Sequence, residues 1–219
     1  MGDWDDWHRE YDQPGSGLAR RLVIVQRLLR EALDRAPAGP LRLVSMCAGQ
    51  GRNVLGVLPE HPRRNDVAAR LVELDPGIAA EARAGAAAAG LDAVEVVTGD
   101  AGVSDAYAGA VPAEIVLACG VFGNISDDDI ANTVEHLPEL CAPGAVVLWT
   151  RGRWEPDVTP AIREWFAAAG FEELAFVAPP DTHVSVGAHR LTAEPRPFVS
   201  GTRYFAFTTG KPRPGRIVE

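Results

Sequence analysis

The residues best suited to chemistry in this sequence are two glycines and an acid that follows them. Gly49 and Gly51 come after the apolar run 41–46 and before a stretch with helical character that begins at Arg52. Glycines between a buried strand and a helix let a ligand approach the backbone closely, and the helix start offers unpaired N–H groups. Glu73 follows at a distance of about twenty residues, which suits an acid that binds ribose hydroxyls. The pattern predicts a site for a nucleotide-like ligand.

Val54 limits the kind of nucleotide that is expected, and the acids near the turn each have two possible roles. Val54 stands where a dinucleotide-binding fingerprint has its third glycine, so we expect a ligand without a pyrophosphate. Asp75 competes with Glu73 for the ribose role, or it caps the helix that follows. Asp100 comes after the third predicted strand, where an acid accepts a hydrogen bond from an adenine amino group or caps the chain after Ala101.

Strands and helices alternate along the chain and position these polar residues. The predicted strands are 41–46, 67–74, 93–98, 113–119, 145–150, 171–178 and 204–208. The predicted helices are 18–33, 52–58, 78–89, 126–140 and 160–169. This order predicts an α/β fold, with a seven-stranded, mostly parallel sheet, helices on both faces and an antiparallel C-terminal β-hairpin. A ligand of such a sheet binds at the carboxyl ends of the strands, where the candidate residues lie.

Composition limits the class of protein. The chain has 219 residues, a net charge of −9 and a pI near 5.1, which disfavour a large nucleic-acid surface. Its three cysteines lack the spacing of metal ligands, and the acids 127–129 fit a helix N-terminus better than a metal site. No apolar run is long enough for a membrane span, and the first residues do not resemble a signal peptide. We expect a cytoplasmic protein that binds no metal, membrane or nucleic acid.

Four segments, in order, resemble class I S-adenosylmethionine-dependent methyltransferases. They are Ala48-Gly49-Gln50-Gly51, Glu73-Leu74-Asp75-Pro76, Gly99-Asp100-Ala101 and the strand that ends at Cys119-Gly120. The resemblance implies a Rossmann-like fold, with S-adenosyl-L-methionine as cofactor and S-adenosyl-L-homocysteine as product. It also implies cofactor contacts: Ala48, Gly49 and Gly51 at the methionine and ribose portion, Glu73 at the ribose, Leu74, Asp100 and Ala101 at the adenine, and Cys119 near the methionine portion.

The sequence departs from this family at two positions. Ser45 stands where the family usually has an acid, and Cys47 stands where it usually has glycine. The cofactor amino group therefore needs another partner, and Cys47 occupies space that glycine would leave. An actinobacterial-like subfamily that acts on small molecules would account for both departures.

The N-terminal aromatic residues have two interpretations. Trp4, Trp7 and Tyr11 share one helical face. They either cover the site, with Tyr11 at the cofactor carboxylate and the tryptophans beside the acceptor, or form an ordinary packed helix. Arg20 and Arg21 could pair with the same carboxylate. We divide the chain into an N-terminal helical lid or cap (1–40), the methyltransferase core (41–210) and a flexible tail (211–219).

The acceptor side is predicted from residues after the fourth and fifth strands. Phe122 and Asn124 follow one strand, and Arg151 and Arg153 follow the next, where arginines either suit an anionic small molecule or only add surface charge. If the reaction needs a general base, the candidates are His8 and His189. The predicted reaction is methyl transfer to an oxygen, nitrogen or carbon atom of a small molecule. The alternatives are an NAD-type oxidoreductase on a similar sheet and a non-catalytic S-adenosylmethionine-binding module.

Overall fold

The structure is a computed structural model that describes residues 10–13 and 15–208. Within these residues seven strands form one sheet in the order β3-β2-β1-β4-β5-β7-β6. The strands are β1 Leu41–Ser45, β2 Val67–Glu73, β3 Val94–Thr98, β4 Ala113–Ala118, β5 Cys141–Gly152, β6 Phe171–Val177 and β7 Val184–Leu191. Strands β1 to β5 run parallel, and β7 is antiparallel to both β5 and β6. The predicted fold class is confirmed.

Five α-helices lie between or before these strands in the described residues. They are α1 Gly17–Arg35, α2 Arg52–Leu55, α3 Pro76–Ala88, α4 Asp127–His136 and α5 Thr159–Ala168. Side chains cap two of the helix starts as the sequence predicts. Ser16 accepts the Ala19 N–H at the start of α1, and Ser126 accepts the Asp129 N–H at the start of α4. No helix in the described part of the chain is long and apolar enough to cross a membrane.

The two faces of the sheet carry separate hydrophobic cores. Helix α1 buries Val25, Leu29 and Leu33 against the face that α3 also covers. Trp149 and Phe166 anchor the opposite face, which α4 and α5 cover. Burial of each such side chain stabilises the fold by about 1.5–3 kcal/mol relative to leaving it exposed. Packing on both faces therefore fixes the positions of the strand ends.

The predicted last strand, 204–208, is wrong. The antiparallel partner of β5 and β6 is β7 at Val184–Leu191, which the sequence pattern did not reveal. Gly187 interrupts that pattern because a Cβ there would lie 2.3 Å from the Trp149 ring. Residues 204–208 instead form an extended segment without strand pairing, preceded by a single bridge between Val103 and Arg203.

Candidate active site

The glycine turn after β1 is held between two neighbouring strands. The Met46 N–H donates to the Leu117 carbonyl at 2.9 Å, and the Ala48 N–H donates to the Val72 carbonyl at 2.9 Å. Gly49 and Gly51 have φ angles of 58° and 75°, in the left-handed region that glycine adopts without strain. The turn therefore presents its backbone at the carboxyl rim of the sheet, as the sequence predicts.

Cys47 occupies a strained position in the same turn. Its φ angle is 47°, the only positive φ of a non-glycine residue in the described part of the chain. This conformation costs about 1–2 kcal/mol for a residue with a Cβ. Burial, reinforced by the negative charges of Glu73 and Asp100, raises the pKa of the Cys47 thiol well above its usual range. The thiol therefore stays neutral, close enough to both acids for their charges to act on it.

Glu73 lies at the end of β2 with its carboxylate turned towards the glycine turn. One oxygen accepts the Gly49 N–H at 2.8 Å, and the other accepts the Asp75 N–H at 3.0 Å. Asp75 uses its own carboxylate to accept the N–H groups of Gly77 and Ile78 at the start of α3. Asp75 is therefore the helix cap, and Glu73 is the acid at the rim. Two lone pairs on its carboxylate remain for further donors.

Leu74 and Asp100 extend this rim over β2 and β3. Leu74 directly follows β2 and is 62% exposed. Asp100 accepts the Gly102 N–H at 2.8 Å and pairs with the Arg203 guanidinium at 3.0 Å. Ala101 is buried, and its carbonyl accepts the Tyr107 hydroxyl at 2.7 Å. Of the three predicted adenine contacts, Leu74 and Asp100 are exposed and Ala101 is buried.

Residues 10–13 are fastened over the glycine turn by two arginines. Arg21 donates to the Tyr11 hydroxyl, and the Arg52 guanidinium lies 5.4 Å from the centre of the Tyr11 ring. Arg52 also pairs with Asp12 at 2.6 Å and donates to the Gln50 side chain at 2.6 Å. The Tyr11 hydroxyl, with Arg21, therefore belongs to the same end of the sheet as the glycine turn.

The turn that follows β4 has buried side chains on its inner side and a half-buried glycine, Gly120. Cys119 is 6% exposed, and burial raises the pKa of its thiol to about 12. Phe122 is fully buried and packs 6.0 Å from the Trp149 ring centre, so its side chain is part of the core. The Asn124 amide donates to the Gly120 carbonyl at 2.7 Å and stabilises the turn. Among the described residues, a Cβ added at Gly120 would meet nothing within 4 Å.

The two arginines at the end of β5 have different surroundings. Arg153 donates to the carbonyls of Pro179 and Thr182, both at 2.7 Å, and so fastens the loop between β6 and β7. Arg151 is 5% exposed at the end of β5, and its carbonyl accepts the Ser185 hydroxyl. Arg20, the other arginine considered for a ligand carboxylate, pairs with Asp181 at 2.8 Å. Of these three, Arg151 is the buried cation.

His189 lies in the core, away from the rim. It pairs with Val147 in the middle of β5, and the Trp149 indole N–H donates to its Nδ1 at 3.1 Å. Its ring stacks on Phe166 at 4.3 Å, and burial lowers its pKa to about 4. This position suits a structural acceptor for Trp149 better than a general base. Trp4, Trp7 and His8 lie outside the described residues.

Sequence reasoning missed two arginines at this site. Arg52 pairs with Asp12 and lies over the Tyr11 ring. Arg203 pairs with Asp100, which is 103 residues away in the sequence. No local motif marks either one, because each contact joins segments that only the fold brings together. In the described part of the chain no group of three or more His, Cys, Asp or Glu side chains is arranged to hold a metal ion.

The sequence matches a known protein-family model. The family model described as "Putative methyltransferase" matches residues 14–167. The chain belongs to this methyltransferase family. Among curated proteins, none matches the chain in sequence.

Solved structures share the fold of this methyltransferase. The magnesium protoporphyrin IX methyltransferase of Synechocystis PCC 6803 is 11% identical with a TM-score of 0.67, and the match covers 87% of this chain and 91% of that one. The 1,6-didemethyltoxoflavin-N1-methyltransferase of Burkholderia thailandensis is 17% identical with a TM-score of 0.63, covering 86% and 87%. The CurJ carbon methyltransferase is 16% identical with a TM-score of 0.65; the match covers 88% of this chain but only 59% of the CurJ chain. The predicted class I methyltransferase fold is confirmed.

Proposed function

We propose that this methyltransferase transfers the methyl group of S-adenosyl-L-methionine to a small-molecule acceptor. The observation that carries the proposal is the contact between the Glu73 carboxylate and the Gly49 N–H at 2.8 Å. This contact brings the acid at the end of β2 next to the glycine turn after β1. The carboxylate oxygens of Glu73 can still accept hydrogen bonds from two ribose hydroxyls. The exposed Leu74 supplies an adjacent apolar surface for a base.

The residues at the rim fit the parts of this cofactor. Glu73 would hold the ribose, and Leu74, Asp100 and Ala101 would border the adenine. The turn residues Ala48, Gly49 and Gly51, with the chain at Cys119, would border the methionine portion. The Tyr11 hydroxyl, which Arg21 contacts, would bind its carboxylate. Ser45 is buried and Cys47 is strained, so neither supplies the charge that an acid at the position of Ser45 would give.

When bound, S-adenosyl-L-methionine supplies an electrophilic methyl group on a positively charged sulfur. The contribution of the chain is to align an acceptor with that group and to exclude water, which lowers the barrier by orientation. A general base is required only where the acceptor loses its proton in the transition state. Of the two proposed candidates, His8 and His189, the second is buried in the core against Trp149, so His8 is the base to test first.

The acceptor side is proposed from charge and position. Arg151 is a buried cation at the end of β5, which suits an anionic small molecule. Asn124 borders the turn after β4. Phe122, which is buried, and Arg153, which holds the loop between β6 and β7, would support the acceptor site without contacting the acceptor. Trp4 and Trp7 stay proposed as acceptor contacts. Two structural neighbours are named for methyl transfer to small molecules, a porphyrin and a toxoflavin precursor, which supports the same acceptor class here.

The proposal also covers the division of the chain, its location and its subfamily. We place residues 1–40 as a lid or cap, 41–210 as the catalytic core and 211–219 as a tail. We further propose a cytoplasmic enzyme of an actinobacterial-like subfamily that acts without nucleic acid. The acidic net charge of −9 supports a small acceptor over a nucleic acid.

The test is calorimetric titration with S-adenosyl-L-homocysteine and, separately, with NAD. We expect binding of S-adenosyl-L-homocysteine alone, followed by methyl turnover on members of a panel of anionic small molecules. Binding of NAD without S-adenosyl-L-homocysteine would favour the oxidoreductase. Binding without turnover on any acceptor, including RNA, would favour the non-catalytic module.

A further inference from the structure

Residues 202–208, here called the C-terminal strap, lie outside the strand ladders and contact the loop after β3 and the turn after β4. Ser104 donates its N–H to the Thr202 carbonyl at 2.9 Å, and Tyr204 donates its N–H to the Gly102 carbonyl at 2.8 Å. At the other end the Thr208 N–H donates to the Asn124 carbonyl at 3.1 Å. The strap therefore joins the loop after β3 to the turn after β4, the two connections that border the adenine and acceptor sides.

The C-terminal strap is packed as part of the wall. A Cβ at Gly102 would lie 2.3 Å from the Phe205 carbonyl oxygen, so glycine is needed for this approach. Tyr204 and Phe205 are both 1% exposed, and the Asn132 amide donates to the Tyr204 carbonyl at 2.7 Å. The strap lies beyond residues 14–167, the region that the family model matches.

Arg203 connects the C-terminal strap to the acid at the rim. Its Nη1 lies 3.0 Å from Asp100 Oδ2 and 3.2 Å from the Phe205 carbonyl oxygen. The other Asp100 oxygen accepts the Gly102 N–H at 2.8 Å. The carboxylate is thus held at both oxygens, one by the strap and one by the loop that the strap contacts, and its rotation is restricted.

We propose that the C-terminal strap is the adenine-side wall of the cofactor site and that Arg203 is a positioning residue for Asp100. A fixed carboxylate accepts a hydrogen bond from the amino group of adenine but repels the carbonyl oxygen that hypoxanthine carries at the same place. Arg203 thereby sets the preference for an adenine-containing cofactor. The inference rests on the proposed function, because it assumes that Asp100 faces the adenine.

The experiment compares the affinities of S-adenosyl-L-homocysteine and S-inosyl-L-homocysteine in wild type, Arg203→Ala and Arg203→Lys. Arg190→Ala is the matched control, since Arg190 also forms an exposed pair, with Glu172 at 2.7 Å, but on the outer strands. The side chains of the two pairs have similar exposure, 54%/46% for Arg203–Asp100 and 49%/52% for Arg190–Glu172. Unfolding midpoints of all variants are measured in parallel.

We expect the preference for the adenine compound to fall about fivefold in Arg203→Ala, the size of one hydrogen bond to a charged group near the surface. Arg203→Lys should restore most of the preference, and Arg190→Ala should match wild type. If Arg203→Ala weakens both compounds equally and keeps the preference, the positioning role is wrong. Failure of wild type to bind S-adenosyl-L-homocysteine would instead refute the proposed function on which this inference rests.

Discussion

Glu73→Gln should separate the ligand role of Glu73 from its structural role. The carboxylate accepts two backbone N–H groups, from Gly49 at 2.8 Å and Asp75 at 3.0 Å. Glutamine has nearly the same shape but no charge, and one of its two terminal groups donates instead of accepting. The substitution therefore leaves one terminal group unable to accept its N–H, and it removes the charged acceptor for ribose.

The expected magnitude follows from these bonds. A hydrogen bond to a charged group contributes about 1.5–3 kcal/mol, so loss of the ribose contact should weaken S-adenosyl-L-homocysteine binding by about tenfold to a hundredfold. The loss of folding stability should be smaller, about 1 kcal/mol, because the Gly49 and Asp75 N–H groups lie near solvent at the rim. Affinity should thus change more than stability.

The assay is calorimetric titration alongside chemical denaturation, with Glu114→Gln as control. Glu114 accepts the Arg42 N–H at 2.6 Å across β1 and β4, but at the amino ends of these strands. The control therefore removes a comparable contact between a carboxylate and a neighbouring strand on the side of the sheet without a proposed site. Equal affinity in Glu73→Gln and Glu114→Gln would refute the ribose assignment.

Three further predictions concern other parts of the structure. His189 has its pKa lowered from 6.5 to about 4, so the unfolded chain gains a proton first as the pH falls. Stability should decrease between these values by about 3 kcal/mol, and acid denaturation of His189→Gln should show a weaker decrease. Gly102→Ala should destabilise the fold by about 1–3 kcal/mol through the clash with the Phe205 carbonyl. Gly123→Ala, where a Cβ has no neighbour within 4 Å among the described residues, should melt like wild type. Tyr11→Phe should weaken S-adenosyl-L-homocysteine about threefold to tenfold yet leave 5′-methylthioadenosine, which lacks the carboxylate, unchanged in titrations.

The sequence was sufficient to predict the rim because parallel strands end together. Glu73 and Asp100 are each the polar residue at the exit of an apolar run, and glycines mark the turn after β1. Once the alternation of strands and helices is recognised, these positions must converge on the same edge. The prediction required no knowledge of side-chain contacts.

The C-terminal part was not predictable in the same way. The pattern of β7 is broken by Gly187, which exists to make room for the Trp149 ring, a contact with another strand. Residues 204–208 have the aromatic alternation of a strand, but Tyr204 and Phe205 are buried against the core outside the strands of the sheet. Local patterns report burial, and burial alone does not distinguish a strand from an extended strap.

The position of Cys47 links the fold to the chemistry of the site. A non-glycine residue at a φ of 47° persists only where its surroundings fix the backbone, and here the bonds from Met46 and Ala48 to β4 and β2 do so. Because those bonds hold the turn whichever residue occupies position 47, the sheet tolerates the side chain that the family usually lacks. The thiol is a neutral group near Glu73 and Asp100, since burial and the charges of both acids raise its pKa. A neutral thiol adds no competing anion beside the two carboxylates that we propose as acceptors for the hydroxyl and amino donors of a ligand.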